Sequence, residues 1–298
     1  MEFGRMITAM VTPFDTEGTI DWATAEQLIE YLIVDQQSDS IVIAGTTGES
    51  PTLSEDEKVE LFAFAVEKAA GRVRIIAGTG SNNTKSSISL SQRAQQCGVD
   101  GLLLVVPYYN KPSQEGLYLH FKAIAENTSL PVFLYNVEGR TGTNLSVDTT
   151  LRLAQIPNVV ATKDCANLDQ LTSIISGAPE GFRVYSGDDA ATLPALSVGA
   201  YGIISVSAHI VGQEMKSMIQ SYVAGDVTKA AKLHGQLLPF FKGMFACPHP
   251  MSNPVPVKYA LEVMGIPVGS VRLPLAPITE SEAEFVRNLL QIKNEISK

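Results

Sequence analysis

The stretch Asn158-Val-Val-Ala-Thr-Lys163-Asp164 is an apolar, β-branched run of strand length that ends on a lysine. Pro157 precedes it and polar residues follow it, a pattern typical of a buried strand between two turns. A lysine at the end of such a strand enters a crevice with little water. Burial disfavours the charged ammonium form, and the neutral amine forms Schiff bases with ketones. The alternative is that the lysine extends to solvent, and the rest of the chain decides between the two interpretations.

The composition excludes several classes of protein. The chain has 298 residues, 45% of them hydrophobic and 18% charged, which allows a large core in one or two domains. A formal net charge of -9 argues against a nucleic-acid partner. No apolar run is long enough to cross a bilayer, so we expect no membrane partner.

The cysteines and histidines give no sign of a disulfide framework or a metal site. Cys97, Cys165 and Cys247 are odd in number and far apart, and the four histidines have no metal-ligand spacing. The first residues, 1–5, lack the features of an export signal. We therefore expect a protein of the reducing cytoplasm without a metal or another cofactor.

Short apolar runs, each followed by a helical pattern, recur eight times along the chain. They are Met6–Val11, Ser40–Ala44, Val73–Ala77, Gly101–Val106, Pro131–Tyr135, Asn158–Thr162, Phe182–Tyr185 and Ala200–Val206. Most are continuously apolar, as expected of parallel strands covered on both faces. Eight such units predict an α/β fold, the (β/α)8 TIM barrel. A doubly wound sheet is the alternative, but the first strand ends Val11-Thr-Pro-Phe14 without the glycine fingerprint of that fold.

Helix signals divide the chain further. Five residues are predicted to cap barrel helices: Asp21, Ser54 with Glu57 as a capping box, Ser113, Ser146 and Asn167. Another helix is predicted to open at Thr84. After Gly225 the pattern is helical only, over Thr228–Phe245, Val255–Met264 and Thr279–Ile296, with a second capping box at Thr279 and Glu282. We predict a barrel that carries the active site in residues 1–224 and a C-terminal three-helix extension in residues 225–298.

The predicted strand ends carry the chemistry, because catalytic groups of such barrels come from the carboxyl ends of the strands. The segments at these ends are Gly45-Thr-Thr-Gly-Glu-Ser50, Gly78-Thr-Gly80, Pro107-Tyr-Tyr-Asn110, Tyr135-Asn-Val137 with Gly139-Arg-Thr-Gly142, Lys163, and Ser186-Gly-Asp-Asp189. Each alone has an ordinary explanation as a turn, a core aromatic, a surface cation or a helix cap. Together they bring hydroxyls, phenols, one arginine and one lysine to a single mouth.

This set has a chemical logic. Lys163 needs a carbonyl substrate, and the N–H groups and hydroxyls of residues 45–48 can bind the carboxylate of a 2-oxo acid. The phenol of Tyr135 can carry protons to and from a carbinolamine. Arg140 can hold the carboxylate of a second substrate in bidentate fashion.

In order and spacing, these segments resemble the dihydrodipicolinate synthase family over nearly the whole chain. The resemblance implies a lyase that condenses pyruvate with L-aspartate 4-semialdehyde on the path to diaminopimelate and lysine, as a homotetramer of tight dimers. It implies that Lys163 forms the Schiff base and that Tyr135, Thr47 and Tyr109 form a proton relay, with Tyr109 reaching in from a neighbouring subunit. The implied substrate-binding residues are Thr46, Thr47, Arg140, Gly187 and Ile204, the last through its backbone.

Two positions depart from the family pattern. Glu138 stands where the family usually has proline, which would stiffen the loop that aims Arg140. The extra anion beside Arg140 would also weaken binding of the second substrate. Asp164 and Cys165 replace the usual Glu-Ala or Glu-Ser after the lysine, and we expect this change to be mild.

The resemblance also implies an allosteric lysine site at the tight-dimer interface. Its lining here would be Ser50, Pro51, Glu55, Lys58, Asn82, Ser86 and Tyr108. Lysine-sensitive members usually carry glutamate at the position of Ser86, and often histidine or glutamate at that of Lys58. We therefore predict weak inhibition by lysine.

Two rival functions remain on the same barrel. A sialic acid lyase or a 2-keto-3-deoxy sugar acid lyase would share the lysine and the tyrosine. Thr46-Thr47 and Arg140 favour the synthase, because sialic acid lyases usually have Ser-Thr in the turn and lack that arginine. A non-catalytic barrel that binds 2-oxo acids is a rival from another class, and the complete set of Lys163, Tyr135 and Thr47 argues against it.

Overall fold

A closed parallel barrel forms the body of the computed structural model, which describes residues 2–296. The strands are β1 Met6–Ala9, β2 Ser40–Ile43, β3 Arg74–Gly78, β4 Gly101–Val105, β5 Val132–Asn136, β6 Val159–Asp164, β7 Arg183–Ser186 and β8 Gly202–Ser205. They pair in chain order, and β8 returns to β1 with Ile204 opposite Ile7. The predicted (β/α)8 fold is confirmed. The doubly wound alternative is wrong, since an open sheet would leave two unpaired edges.

Strands β5 and β6 run further at the carboxyl end than the predicted apolar runs. Lys163 and Asp164 lie inside β6, where they pair with Tyr135 and Asn136 of β5. The prediction ended these strands at Thr162 and Tyr135, where the apolar run stops. Ladder hydrogen bonds need no apolar side chain, so the strands continue through the polar residues.

Helices alternate with the strands around the outside of the barrel. They are α1 Trp22–Val34, α2 Glu55–Ala69, α3 Thr84–Gln96, α4 Gln114–Ala125, α5 Glu138–Thr141, α6 Val147–Leu153, α7 Leu168–Gly177, α8 Thr192–Ser197 and α9 Ala208–Val223. Predicted caps are confirmed at Asp21, Ser54, Ser113, Ser146 and Asn167. The prediction that a helix opens at Thr84 is confirmed, since α3 begins there. Asn83 caps α3 by accepting from the Ser86 N–H, whereas the Thr84 hydroxyl lies 2.9 Å from Nδ1 of His120.

Two hydrophobic layers enclose the strands. One fills the barrel interior and the other lies between strands and helices. Side chains alternate along a strand, so Ala161 and Lys163 point into the interior while Thr162 and Asp164 point towards the helices. Phe3 packs against Phe133 at the amino-terminal end of the interior, with the ring centroids 4.9 Å apart. Phe3 thus covers part of this end of the interior, and the cavities that the predicted site residues line lie at the carboxyl ends of the strands.

The C-terminal helices are α10 Val227–Gly243, α11 Val255–Val263 and α12 Glu280–Ile296. α10 packs along α9, and α11 packs against α9 and α12. Before α12, the carboxylate of Glu282 accepts hydrogen bonds from both the N–H and the hydroxyl of Thr279. The C-terminal helices are as predicted, while the division of the chain into two domains at residues 224 and 225 stays a prediction. Within the described residues, no helix combines the length and apolar character needed to cross a membrane.

Candidate active site

Lys163 and Tyr135 are direct partners across β6 and β5, and both point into the barrel. Lys163 is only 5% exposed, and its Nζ lies 4.5 Å from the centre of the Tyr135 ring. The ring face is the negative part of an aromatic side chain and attracts the lysine nitrogen. The amine and the phenol ring therefore meet at the floor of the mouth.

Above this pair lies a cavity of about 510 Å3. From the barrel it is lined by Thr46, Thr47, Tyr135, Val137, Arg140, Lys163, Cys165, Gly187, Asp188, Ala190 and Val206, and from the C-terminal part by Phe241, Lys242, Phe245, Ala246 and Asn253. Most predicted site residues therefore come together at one cavity. Ile204 lies below it in the interior layer, and Tyr109 lies outside it.

The turn from Gly45 to Ser50 delivers the two threonines. The Glu49 N–H donates to the Thr46 carbonyl at 3.1 Å, and the Ser50 N–H donates to the Gly45 carbonyl at 3.2 Å. The Thr12 hydroxyl holds the turn from outside by donating to the Gly48 carbonyl at 2.7 Å. The turn is thus closed on itself, with its hydroxyl-bearing residues at the cavity.

Gly187 is required by close packing rather than by its backbone angles. A Cβ atom built there would lie 2.3 Å from Sγ of Cys165 and 2.9 Å from Cε of Lys163. Real Cβ contacts are not this short, so any larger residue would displace the lysine side chain. Gly187 leaves the space in which Lys163 extends to the cavity.

The departures at Asp164 and Cys165 are accommodated by their surroundings. The buried Asp164 carboxylate accepts from Gln170 Nε2 at 3.0 Å and from the Ala166 N–H at 2.7 Å, and burial still raises the pKa of this carboxyl. Burial also raises the pKa of the Cys165 thiol to about 11, so the thiol stays protonated at neutral pH. Neither residue brings a new reactive group to the cavity.

Arg140 stands on the short helix α5, exposed at the rim of the cavity. Glu138 begins the same helix two residues earlier, a spacing that directs side chains to different sides of a helix. The left-handed Gly142 ends the helix. The guanidinium is therefore available to an anion that enters from solvent.

A second cavity of about 390 Å3 shares Thr46, Tyr135, Val137 and Arg140 with the first. It extends to Ser50, Pro51, Lys58 and Tyr108, whereas Asn82, Ser86 and Glu55 do not line it. Asn82 instead donates to the Tyr108 carbonyl at 3.1 Å, and burial lowers the pKa of Lys58. The residues implied for a lysine site thus surround this cavity only in part.

Tyr109 is 91% exposed and has a φ of 74°, a conformation that costs free energy for a residue with a side chain. Its loop is fixed by Asn110, whose Nδ2 donates to the Asn82 carbonyl at 3.0 Å. The backbone at Tyr109 is therefore fixed, and its phenol projects away from its own chain.

The C-terminal part contributes contacts that the sequence did not suggest. Nδ2 of Asn253 donates to Oγ1 of Thr47 at 2.9 Å. Glu49, two residues after Thr47 in the same turn, forms an ion pair with Nζ of Lys258 at 2.8 Å. The Glu49 side chain is 1% exposed and that of Lys258 is 2% exposed. Burial lowers the pKa of Lys258 to about 8 even beside Glu49. No motif or spacing connects these residues, because more than 200 positions separate the partners.

No group of three or more histidine, cysteine or carboxylate side chains is placed to hold a metal ion in the part of the chain that the structure describes. The groups at the cavity are instead an amine, hydroxyls, a phenol and a guanidinium. These are suited to nucleophilic attack, proton transfer and carboxylate binding.

This closed (β/α)8 barrel carries these groups at the carboxyl ends of its strands, where enzymes of this fold have their active sites. The Dihydrodipicolinate synthetase family matches residues 2–293, and the chain belongs to that family. It is 56% identical over 284 residues to the 4-hydroxy-tetrahydrodipicolinate synthase of Bacillus subtilis (strain 168), covering 95% of this chain and 96% of that protein.

Solved structures agree with this assignment. A dihydrodipicolinate synthase from Bacillus anthracis matches with a TM-score of 0.94 and 52% identity over 98% of both chains. The enzyme from Cyanidioschyzon merolae, solved with lysine bound, matches with a TM-score of 0.95 and 44% identity, again over 98% of both chains.

Proposed function

We propose that this chain is a 4-hydroxy-tetrahydrodipicolinate synthase that condenses pyruvate with L-aspartate 4-semialdehyde through a Schiff base on Lys163. One observation carries the proposal: the Lys163 amine lies against the Tyr135 ring at the floor of a cavity lined by Thr46 and Thr47. Relatives above 50% identity with this name support the choice of substrates.

In the first half of the reaction, the Lys163 amine attacks the keto carbon of pyruvate to give a carbinolamine. Loss of water then gives the Schiff base, and the Tyr135 phenol carries the proton that the leaving hydroxyl needs. The turn that holds Thr46 and Thr47 binds the pyruvate carboxylate. Thr47 and Tyr109 extend the proton path between the cavity and solvent.

In the second half, loss of a proton from the pyruvate methyl group gives an enamine, which attacks the aldehyde carbon of the second substrate, and the aldehyde oxygen takes up a proton to become the hydroxyl. The amino group of the semialdehyde part then attacks the Schiff-base carbon, which closes the ring and breaks the bond to Lys163, so that the free amine is restored. Arg140 holds the carboxylate of the semialdehyde at the rim, where its exposed guanidinium supports this role. Glu138 lowers the affinity for this anion through its nearby negative charge.

The active unit in this proposal is a dimer within a homotetramer. Its support is the fixed but 91% exposed phenol of Tyr109, a large apolar surface that a neighbouring subunit would bury. A cytoplasmic location is part of the proposal as well, and the unpaired state of the three cysteines supports it.

We also place a weak regulatory lysine site at the second cavity. Ser50, Lys58 and Tyr108 line it, and the shared wall of Tyr135 and Arg140 would pass an effect to the active site. The Lys58 ammonium opposes the charge of a lysine ligand. Asn82 and Ser86 belong to this proposed site through the family resemblance.

Trapping with borohydride tests the Schiff base. Incubation with pyruvate and reduction should leave an adduct on Lys163, identified by peptide mass spectrometry. Lys258 is an internal control, since it is the other lysine below 6% exposure among the described residues. An adduct on Lys258, or no adduct, would overturn the assignment. A panel of aldehydes offered with pyruvate should show the highest turnover with L-aspartate 4-semialdehyde, and preference for a sugar aldehyde would favour the sugar acid lyases.

A further inference from the structure

The C-terminal helices touch the catalytic turn at two points from one short segment. Asn253 contacts Thr47, and Lys258, five residues later in α11, contacts Glu49. Both contacts are buried, with Asn253 5% exposed and Thr47 2% exposed. A turn of six residues is therefore held at alternate positions by a part of the chain outside the barrel.

The ion pair fixes the turn in a conformation that a glutamate does not choose by itself. Glu49 has a φ of 57°, in the left-handed region. Its Oε1 accepts from Lys258 and its Oε2 accepts from the N–H of Arg272 at 2.9 Å. The second donor also comes from the C-terminal part, which therefore determines the backbone path beside Thr47.

The contact with Asn253 then orients the Thr47 hydroxyl. By donating from Nδ2, Asn253 occupies one lone pair of Oγ1 and leaves the hydroxyl hydrogen for another acceptor. Among residues 2–296, no other hydrogen bond of this hydroxyl competes for that hydrogen. Thr47, Tyr135 and Lys163 line the same cavity, so an acceptor bound there can take this hydrogen.

We propose that the C-terminal extension is part of the catalytic apparatus, with Asn253 as a positioning residue that orients the Thr47 hydroxyl for proton transfer. The proposal rests on the proposed relay role of Thr47. Asn253 acts through Thr47, so its effect falls on kcat more than on the KM for pyruvate. A misdirected hydroxyl should lower kcat about 100-fold, which is the usual effect of misplacing a catalytic group by about 1 Å.

Two substitutions of Asn253 by side chains of similar shape distinguish a positioning role of Asn253 from a purely structural one. Asn253→Asp replaces the donor by a carboxylate that takes the Thr47 hydrogen for itself, and kcat should fall about 100-fold at pH 8. The loss should shrink as the pH is lowered, because a protonated carboxyl can donate again. Asn253→Leu removes the donor without introducing an acceptor. Its kcat should fall by only about 10-fold, and this fall should not vary with pH. Asn288→Asp, on the exposed side of α12, adds the same charge in the same extension and should leave kcat unchanged.

Every rate is divided by the fraction of sites that pyruvate and borohydride trap on Lys163, which removes unfolded protein from the comparison. If Asn253→Leu does not fold, Asn253→Ala replaces it. The proposal would be overturned if Asn253→Asp and Asn253→Leu had the same kcat per trapped site as the wild type. It would also be overturned if both variants lost the same factor in kcat and neither loss changed with pH. A wild-type protein that traps no pyruvate would instead overturn the proposed function, and the role of Asn253 with it.

Discussion

Tyr135 and Tyr185 lie at opposite ends of the barrel interior. Tyr135 lines the cavity at the mouth, whereas the Tyr185 hydroxyl donates to the Gly4 carbonyl at 2.9 Å near the amino-terminal ends of the strands. Both rings belong to the hydrophobic cluster that fills the barrel interior. Of these two buried tyrosines, Tyr135 lines the cavity and Tyr185 does not.

Removing the two hydroxyls one at a time tests the proton relay. Tyr135→Phe keeps the ring beside Lys163 but removes the proton carrier, and kcat should fall about 100-fold or more, the scale of general acid–base catalysis. Tyr185→Phe makes the same chemical change at the other end and should retain near wild-type kcat. Steady-state kinetics of both variants measure this. Equal activity of the two variants would contradict a relay role for Tyr135.

Mixing inactive variants tests whether Tyr109 acts across an interface. Tyr109→Phe should reduce turnover strongly with the fold intact, since the phenol is exposed. After subunit exchange with Lys163→Ala, each mixed dimer carries one complete site, so about a quarter of wild-type activity should return from an equal mixture. Native mass spectrometry verifies exchange. No recovery from exchanged subunits would mean that Tyr109 serves its own chain.

Lysine should inhibit this enzyme poorly. Lys58 lines the second cavity, and repulsion between its ammonium and that of the ligand costs about 1–4 kcal/mol at close range. Glu55 does not line this cavity and lies 3.9 Å from Nη1 of Arg93 through its Oε2, so its charge, which partly opposes the lowering of the Lys58 pKa by burial, is shared with Arg93. Half-inhibition is expected above the submillimolar range in initial-rate titrations, and the Lys58→Gln/Ser86→Glu variant should be on the order of 10-fold more sensitive. Submillimolar inhibition of the wild type would contradict this prediction.

Acid should destabilise the fold through His209. This buried imidazole holds β1 beside β8, since its Nε2 accepts from the Val11 N–H at 3.2 Å and its Nδ1 lies 2.8 Å from the Val206 carbonyl. Burial lowers the pKa of His209 to about 4. The unfolded chain therefore takes up a proton near pH 6.5 that the folded chain refuses, so stability present above pH 6.5 is lost as the pH falls towards 4.

For a completely buried group this loss amounts to about 3 kcal/mol. Urea unfolding at pH 7 and pH 4.5 should show a smaller fall for His209→Gln than for the wild type by about this amount. An equal fall in the two proteins would rule out His209 as the source.

The ion pair between Glu49 and Lys258 should be costly to break from one side. Lys258→Met leaves a buried carboxylate without its partner and should lower the free energy of unfolding by about 3–5 kcal/mol. Glu49→Gln/Lys258→Met removes both charges and should recover most of that loss. Lys216→Met is a control, because its pair with Asp39 has the same 2.8 Å distance but is partly exposed, and about 1 kcal/mol is expected there. A double variant as unstable as Lys258→Met would contradict this account.

The sequence was sufficient to predict the fold where a single segment shows the apolar pattern of a strand and also carries a polar residue at its end. The run that ends at Lys163 predicted a buried strand with a buried lysine near its end, and the spacing of eight such runs predicted the barrel. The start of α3 at Thr84 was predicted, but its cap Asn83 was not, because Asn83 and Thr84 are adjacent and both are good caps, and backbone geometry chooses between them. The contact of Asn253 with Thr47 depends on how α10 and α11 pack on the barrel, which no local periodicity encodes.

The buried pair of Glu49 and Lys258 also has a consequence for the order in which this protein matures. The two residues are 209 positions apart, so a growing chain can close all eight strands before Lys258 has been made. Until then Glu49 has neither of its donors, and nothing from the C-terminal part holds its left-handed backbone. A nascent chain that has closed its barrel at this stage would hold Lys163 in β6 while the turn that carries Thr47 still lacks its support from the C-terminal part.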